Sequence, residues 1–331
     1  MTPLSINDET KKLLDAIASE IRGAKRIQLI GHMRPDGDCF GSLLGMHYIL
    51  EELGIDHRLT ASNKSPVSGY TILPNFNLVD DAPAADFDPD LAVFVDTATL
   101  ERAVTDWKLP ARSINVDHHV SNTEFANLNW IDPACASTAE MVFTLARHMQ
   151  VDLGPDAATA ILLGIMTDTG SFHYSNAGAA QFEASARLVE RGADPEFVAR
   201  AAYENRDPAA VTVMGEVLAA IEYESEGALV SGEVRLPQVE RLGGAASVPE
   251  NLASELRAIR GVRVSILFVE MPEGGLKASF RGDGSLSVSQ LAQEFGGGGH
   301  PNAAGTSHTG KPYAELKRDI LDAANKALAG S

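Results

Sequence analysis

The chain has 331 residues, 44% of them hydrophobic, and a formal net charge of −18. That length suits two domains better than one, with apolar content enough for a core in each, and the acidic balance opposes sequence-blind binding to long duplex nucleic acid, which needs a broad Lys/Arg surface. Cys39 and Cys135 are too few for a disulfide framework and match no paired zinc-ligand spacing, so a reducing, cytoplasmic setting is the default.

In chain order, residues 1–12 are polar, with no apolar stretch before a small-residue cleavage site, so no secretory leader is expected. Residues 27–30 predict a buried strand, 31–38 a loop, and 42–53 a helix through Leu43, Met46, Leu50 and Leu53. Residues 91–95 form a second strand ending at Asp96, and 113–116 a third ending at Asp117. Ser137-Thr138-Ala139-Glu140 is a capping box opening a helix toward Met149, and Pro155-Asp156 opens another through Met166. Its most apolar run, 157–166, is about half of the roughly 20 residues that a membrane span needs.

Short apolar strands alternating with helices argue for an α/β fold with a mostly parallel N-terminal sheet flanked by helices. Residues 179–221 read as helical, broken at Gly192 and Pro208, and beyond Glu222 the pattern becomes β-rich, with strands at 228–236, 262–270 and 276–280. The expected division is an N-terminal domain over 1–185, a helical connector over 186–224 and a smaller C-terminal α/β domain with a mixed sheet over 225–331. The glycine-rich stretch 295–305 is expected as a connection between two helices.

Chemistry concentrates in His32-Met33-Arg34-Pro35-Asp36-Gly37-Asp38, in Asp96, in Asp117-His118-His119 and in Asp168. Each acid follows apolar residues and sits beside Gly, Pro, Thr or His, as happens where strands or buried helices empty into one crevice. Taken singly, an Asp after a strand is usually a turn or helix cap; the joint occurrence is what points to a site. Carboxylates about 4 Å apart repel by roughly 4 kcal/mol at an effective dielectric near 20, so such a cluster needs cations. Oxygen and imidazole donors without thiolate suit Mn²⁺, Mg²⁺, Fe²⁺ or Co²⁺, with Zn²⁺ also open. Asp36 and Asp38 can face different ions while Asp96 bridges both, which gives a two-metal centre suited to in-line attack of activated water on a phosphoryl group.

These motifs resemble the DHH phosphoesterase superfamily, named for the trio found here as Asp117-His118-His119. The resemblance extends to the C-terminal signature of the DHH-associated domain, here Gly296 to His300 with Ala303-Ala304-Gly305. In size and arrangement the chain is similar to the stand-alone oligoribonuclease and 3′-phosphoadenosine 5′-phosphate phosphatase group. The resemblance implies that His32, Asp36 and Asp96 hold one metal and that Asp38, Asp96, His118 and Asp168 hold the other. It places His119 on the scissile phosphate or the attacking water, with Asp117 orienting an imidazole from behind. Arg281, His300 and the amides of Gly297, Gly298 and Gly299 would grip phosphate or the terminal nucleotide, and Arg34 would touch phosphate or steady its loop. Phe280 and Phe295 are stacking candidates, although their positions suit core residues better. The chain departs from many relatives at His173, where they carry a basic residue, and at Gly282, where they carry serine.

The expected function is a cytoplasmic, two-metal phosphodiesterase and phosphatase, most simply Mn²⁺-dependent. Its substrates would be short single-stranded RNA, cut to mononucleotides, and 3′-phosphoadenosine 5′-phosphate, converted to AMP; no long duplex and no membrane is implied, and a homodimer is a candidate assembly. The rival substrate is cyclic di-AMP or its linear dinucleotide product on the same fold. A family II pyrophosphatase would lack the glycine run ending in histidine, and a non-catalytic nucleotide-binding protein would have lost metal ligands that are present here.

Overall fold

The computed structural model describes residues 7–64, 69–103, 110–204, 206–249 and 251–330. Part of the polar stretch 1–12 lies outside the described residues. The chain divides into two compact units, Met1–Asn205 and Arg206–Ser331.

The first unit contains α1 (Asp8–Gly23), β1 (Arg26–Ile30), α2 (Gly37–Glu52), β2 (Asp56–Thr60), β3 (Val79–Asp80), β4 (Leu91–Val95), α3 (Leu100–Ala103) and β5 (Ser113–Asp117). It continues with β6 (Leu128–Ile131), α4 (Thr138–His148), α5 (Pro155–Asp168), α6 (Ala179–Glu190) and α7 (Pro195–Ala199). The strands form one sheet in the order β3-β2-β1-β4-β5-β6, with every pairing parallel. From β1 the order runs outward to β2 on one side and to β4 on the other. In an open parallel sheet, that reversal leaves a crevice at the carboxyl ends of the two strands.

Alternation along the strands sorts the side chains between two faces. Ile27, Leu29, Leu91, Val93, Val95, Ile114 and Val116 join the large core completed by α1, α2, α4 and α5, while Ile30, Ala92 and Phe94 face the other way, onto Ala103, Leu100 and Phe125. Burial on both faces is why β4 is apolar throughout.

Helix α2 begins at Gly37, earlier than the loop expected over 31–38. Asp36 is its N-cap, and the Asp36 Oδ1 accepts from the backbone N–H groups of Asp38 and Cys39, both at 3.1 Å. The paired acids therefore straddle a helix start. Nearly all of α2 is buried between α4 and α5, and the approach is at backbone distance. A β-carbon at Gly164 of α5 would come within 2.4 Å of Ala139 Cβ and 2.6 Å of Asp38 Oδ1. Only glycine admits Asp38 to this junction of three helices.

The second unit comprises α8 (Pro208–Ala219), β7 (Glu222–Glu224), β8 (Leu229–Val234), α9 (Leu236–Arg241), α10 (Leu252–Arg257) and β9 (Val264–Glu270). It closes with β10 (Leu276–Gly282), α11 (Val288–Glu294), β11 (Gly298–His300), β12 (Ala303–His308) and α12 (Tyr313–Ala329). Its sheet runs β11-β12-β10-β9-β8-β7 and is mixed: β8 and β9 are parallel, the other neighbours antiparallel. One face packs on α11 and α12, and the other on α8, α9 and α10. The glycine-rich stretch lies between the helices α11 and α12, as expected, but it is paired backbone rather than a plain connection. Gly298 pairs with Gly305 and His300 with Ala303 in a tight antiparallel hairpin, and the approach is close at two glycines: a β-carbon at Gly297 would meet the Gly305 carbonyl at 2.2 Å and one at Gly299 the Ala303 carbonyl at 2.5 Å.

Candidate metal centre

The segment leaving β1, the segments leaving β4 and β5, and the ends of α2 and α5 deliver the acids and imidazoles of the first unit to one crevice at the switch point of the sheet. His32, Asp38, Asp96, Asp117 and His118 are each buried to 4% exposure or less. Water is therefore largely replaced by the groups themselves.

Both buried imidazoles are oriented through Nδ1. His32 Nδ1 lies 2.9 Å from the Met33 carbonyl and His118 Nδ1 lies 3.4 Å from the Cys135 carbonyl. A carbonyl can only accept, so each Nδ1 carries the proton and each Nε2 is turned to the acids. His32 Nε2 is 3.3 Å from Asp96 Oδ2 and 3.7 Å from Asp36 Oδ1. His118 Nε2 is 3.2 Å from Asp168 Oδ2, 3.7 Å from Asp96 Oδ1 and 3.8 Å from Asp38 Oδ2. Asp96 thus presents one carboxylate oxygen to each imidazole. Its backbone is left-handed, with φ of 54°, a conformation uncommon outside glycine and tolerated best by Asp and Asn.

Asp38 is held by the start of α4: Thr138 N–H donates to Oδ2 at 2.7 Å and Ala139 N–H to Oδ1 at 2.9 Å. Asp117 sits behind the imidazoles, with Oδ1 accepting from His118 N–H at 2.9 Å and facing His119 Nδ1 at 2.7 Å, while Oδ2 accepts from Asn122 Nδ2 at 2.6 Å. His119, more exposed than His118, has its Nδ1 3.6 Å from Asp96 Oδ1. The pair His118 and His119 therefore differ in what anchors Nδ1: a carbonyl for one, a buried carboxylate for the other.

The electrostatics follow from this crowding. Burial raises the Asp38 carboxyl well above its usual range, and Asp96 and Asp168 add to the rise; burial likewise raises Asp168 against the pull of His118. Burial opposes ionisation of Asp36 and Asp96 too, but the hydrogen bond of each to His32, together with the His32 and His119 charges, holds both low. Burial pulls the His32 and His118 imidazoles down, yet the surrounding carboxylates leave both well above the usual value. Carboxylates and imidazoles buried this close together are a donor set suited to cations. Nitrogen and oxygen donors group accordingly: the ligand atoms of Asp38, His118 and Asp168 lie within 4.8 Å of one another, as do those of Asp96, Asp117 and His119. The residues present fit divalent metal.

One possible donor carries no motif of its own. The ligand atoms of His32, Cys39 and Asp96 also lie within 4.8 Å of one another. Cys39 was set aside for want of a partner cysteine, but it stands beside Asp38 in the same helical turn, which is the signal that places it there. The amides of Thr138 and Ala139, the Cys135 carbonyl and Asn122 carried no motif and were also missed.

Arg34 lies exposed on the loop after β1, with φ of 57° and its N–H bonded to the Ser62 carbonyl. In the second unit, Arg281 on β10 and His300 on β11 both pair with Ala303 on β12. They occupy one rung and one face of the sheet, two strands or about 10 Å apart. Arg281 donates from Nε to Ser254 Oγ at 3.2 Å and from Nη1 to the Phe280 carbonyl at 3.0 Å. Gly297 N–H bonds to the Ala292 carbonyl, and the Gly299 carbonyl accepts from Ser289 Oγ at 2.8 Å; Gly298 begins the hairpin strand. Phe280 is fully buried and Phe295 packs against the same core, so both serve the core rather than a base.

Comparison with known proteins agrees with this layout. Residues 26–165 match the DHH family, N-terminal domain, and residues 238–330 match the DHHA1 domain. The chain is 31% identical over 324 residues to the bifunctional oligoribonuclease and PAP phosphatase NrnA of Thermus thermophilus, covering 97% of this chain and 95% of the relative. It is 28% identical over 281 residues to the protein of the same name from Bacillus subtilis, covering 83% and 87%. In fold it is similar to an exopolyphosphatase-related protein from Bacteroides fragilis, with a TM-score of 0.85, 23% identity and 98% of each chain covered. With both domain signatures present in order and the motif acids gathered at the switch point of its parallel sheet, the chain belongs to the DHH family.

Proposed function

We propose that this protein is a metal-dependent phosphoesterase that hydrolyses very short oligoribonucleotides to mononucleotides and 3′-phosphoadenosine 5′-phosphate to AMP. The observation that carries the reading is the position of Asp96, with one oxygen toward His32 and the other toward His118. The names of the Thermus and Bacillus relatives supply the substrate class. In this reading residues 1–185 are catalytic, 186–224 connect, and 225–331 bind substrate.

His32, Asp36 and Asp96 would hold one divalent ion, and Asp38, Asp96, His118 and Asp168 a second, with Mn²⁺ the first choice. Two such ions supply an acidified water and neutralise charge on a phosphoryl group. The chain's own residues do the rest. Nδ1 anchoring by carbonyls keeps His32 and His118 in the tautomer that presents Nε2 as a donor atom. Asp117 holds His119 so that its Nε2 meets the scissile phosphate or the attacking water, and stabilises positive charge that develops on the ring. Arg281, His300 and the amides of Gly298 and Gly299 would bind the phosphate or terminal nucleotide, the Gly297 N–H being taken by the Ala292 carbonyl, and Arg34 would help at the loop. The acidic surface disfavours long duplex substrates. Among the described residues no helix is long and apolar enough to cross a membrane, and a cytoplasmic location with a homodimeric assembly completes the reading.

The test is a turnover panel with Mn²⁺ present: a linear dinucleotide, a short oligoribonucleotide, 3′-phosphoadenosine 5′-phosphate and cyclic di-AMP. Release of mononucleotides from the linear substrates and of phosphate from the third is expected. A strong preference for the cyclic compound would replace this reading with a cyclic-dinucleotide phosphodiesterase.

A further inference from the structure

Cys39 is fully buried at the start of α2. Its sulfur fills space that Gly31 leaves: a β-carbon at Gly31 would come within 2.4 Å of Cys39 Sγ. The ligand atoms of Cys39, His32 and Asp96 lie within 4.8 Å of one another, a spread comparable with twice the metal–ligand distances of about 2.0–2.3 Å. Asp36 is the other acid on this side, its Oδ1 3.7 Å from His32 Nε2. The His32 side of the crevice therefore has a buried sulfur where the His118 side, with Asp38 and Asp168, has only nitrogen and oxygen.

We propose that Cys39 is a sulfur donor to the cation on the His32 side, together with His32 and Asp96, and that this half of the centre takes thiophilic divalent ions such as Co²⁺, Zn²⁺ or Cd²⁺. The proposal rests on the reading of the crevice as a divalent-metal centre. On binding, the thiol proton leaves to solvent as the sulfur–metal bond forms, with no change of oxidation state. A soft donor on one side alone makes the two halves unequal: thiophilic ions enter the His32 side first, and hard ions such as Mg²⁺ favour the other. The plain alternative is that Cys39 is a small apolar filler, which an alanine or serine would replace without any effect on the metal.

The experiment is Co²⁺ titration of chelator-treated protein, read by near-ultraviolet absorption. A thiolate-to-cobalt charge-transfer band is expected in the wild type and in Cys135→Ser, and is expected to vanish in Cys39→Ser and Cys39→Ala. A band that persists in the Cys39 variants, or wild-type protein that binds cobalt without any band, overturns the assignment. Should the variants fail to fold, X-ray absorption of the zinc-loaded wild type decides. A sulfur scatterer near ~2.3 Å supports Cys39, and a shell of nitrogen and oxygen alone at ~2.0–2.1 Å overturns it. Metal binding without sulfur leaves the phosphoesterase reading intact, whereas failure to bind Co²⁺, Zn²⁺ or Mn²⁺ at all defeats both.

Discussion

The Thr138 N–H donates to Asp38 Oδ2 at 2.7 Å across a separation of one hundred residues, and the Ala139 N–H donates to the other oxygen. Asp38 therefore tethers the first turn of α4 to the first turn of α2 in addition to facing His118. The positive end of the α4 dipole favours the ionised carboxylate, against the burial and neighbouring acids that raise its pKa. Asp38→Ala is expected to weaken metal binding and to loosen the start of α4. Hydrogen bonds to a charged acceptor are worth about 1.5–3 kcal/mol, so the Thr138 and Ala139 amides should exchange about tenfold or more faster in the metal-free variant. Unchanged protection of those two amides by NMR would show that Asp38 serves the metal alone.

Asp96 combines two demands, a left-handed backbone and a carboxylate shared between His32 and His118. Asp96→Asn keeps the first and removes the charge, since Asn tolerates that conformation. Turnover is expected to fall by about 10³-fold or more, the rate equivalent of several kcal/mol of metal-borne stabilisation. Bound metal, counted by equilibrium dialysis and elemental analysis, should fall in parallel. Full metal occupancy with near-normal kcat would remove Asp96 from the bridging position.

Much of this was legible from the residues. The motif residues His32-x-x-x-Asp36-x-Asp38, Asp96 and Asp168 stand at element ends, because strands and helices must be apolar until they leave the core, and the change to polar residues marks the exit. The parallel sheet followed from uninterrupted apolar strands such as 91–95. What stayed hidden depends on three-dimensional approach. No local pattern announces that Thr138 will lie against Asp38, that Gly164 is small because Asp38 must pass it, or that the sulfur of Cys39 will stand beside His32. The hairpin inside the glycine-rich stretch stayed hidden for a different reason: glycine has no strand propensity, so the pairing of Gly298 to His300 with Ala303 to Gly305 is specified by its tight cross-strand approach rather than by side-chain pattern.

His118 and His119 should separate experimentally. His119 is held by Asp117, and its removal should leave the metal donors in place. His119→Ala is expected to retain metal and lose about 10²–10⁴-fold in kcat, the range of a positioned acid–base group; Asp117→Asn should give a smaller loss. His118→Ala should lose metal. Isothermal titration with Mn²⁺ beside steady-state kinetics distinguishes the two, and metal loss in His119→Ala would reverse the roles assigned to the pair.

Away from the crevice, a second histidine pair predicts a pH effect on stability. His57 Nδ1 lies 2.7 Å from the Ile55 carbonyl and so donates, which leaves His57 Nε2 to accept from His47 Nδ1 at 2.7 Å. His47 Nε2 then accepts from Asn75 Nδ2 at 3.2 Å, and the same amide donates to Tyr48 Oη. A proton added at His57 Nε2 or His47 Nε2 would meet another N–H, so the relay is built for neutral rings. Burial and the neighbouring His57 lower the His47 pKa, with Glu51 offsetting part of the drop. The native pKa is thus below the unfolded value of about 6.5. The contribution is fully present above that pH and is lost as pH falls toward the native pKa, because only the unfolded chain takes up the proton, with a slope of at most about 1.4 kcal/mol per pH unit. His47→Gln keeps a donor for His57 and removes the titration, so its urea midpoint should fall less than that of the wild type between about pH 7 and about pH 5.5. Equal slopes for the two proteins would mean that the relay opens or accepts a proton without cost.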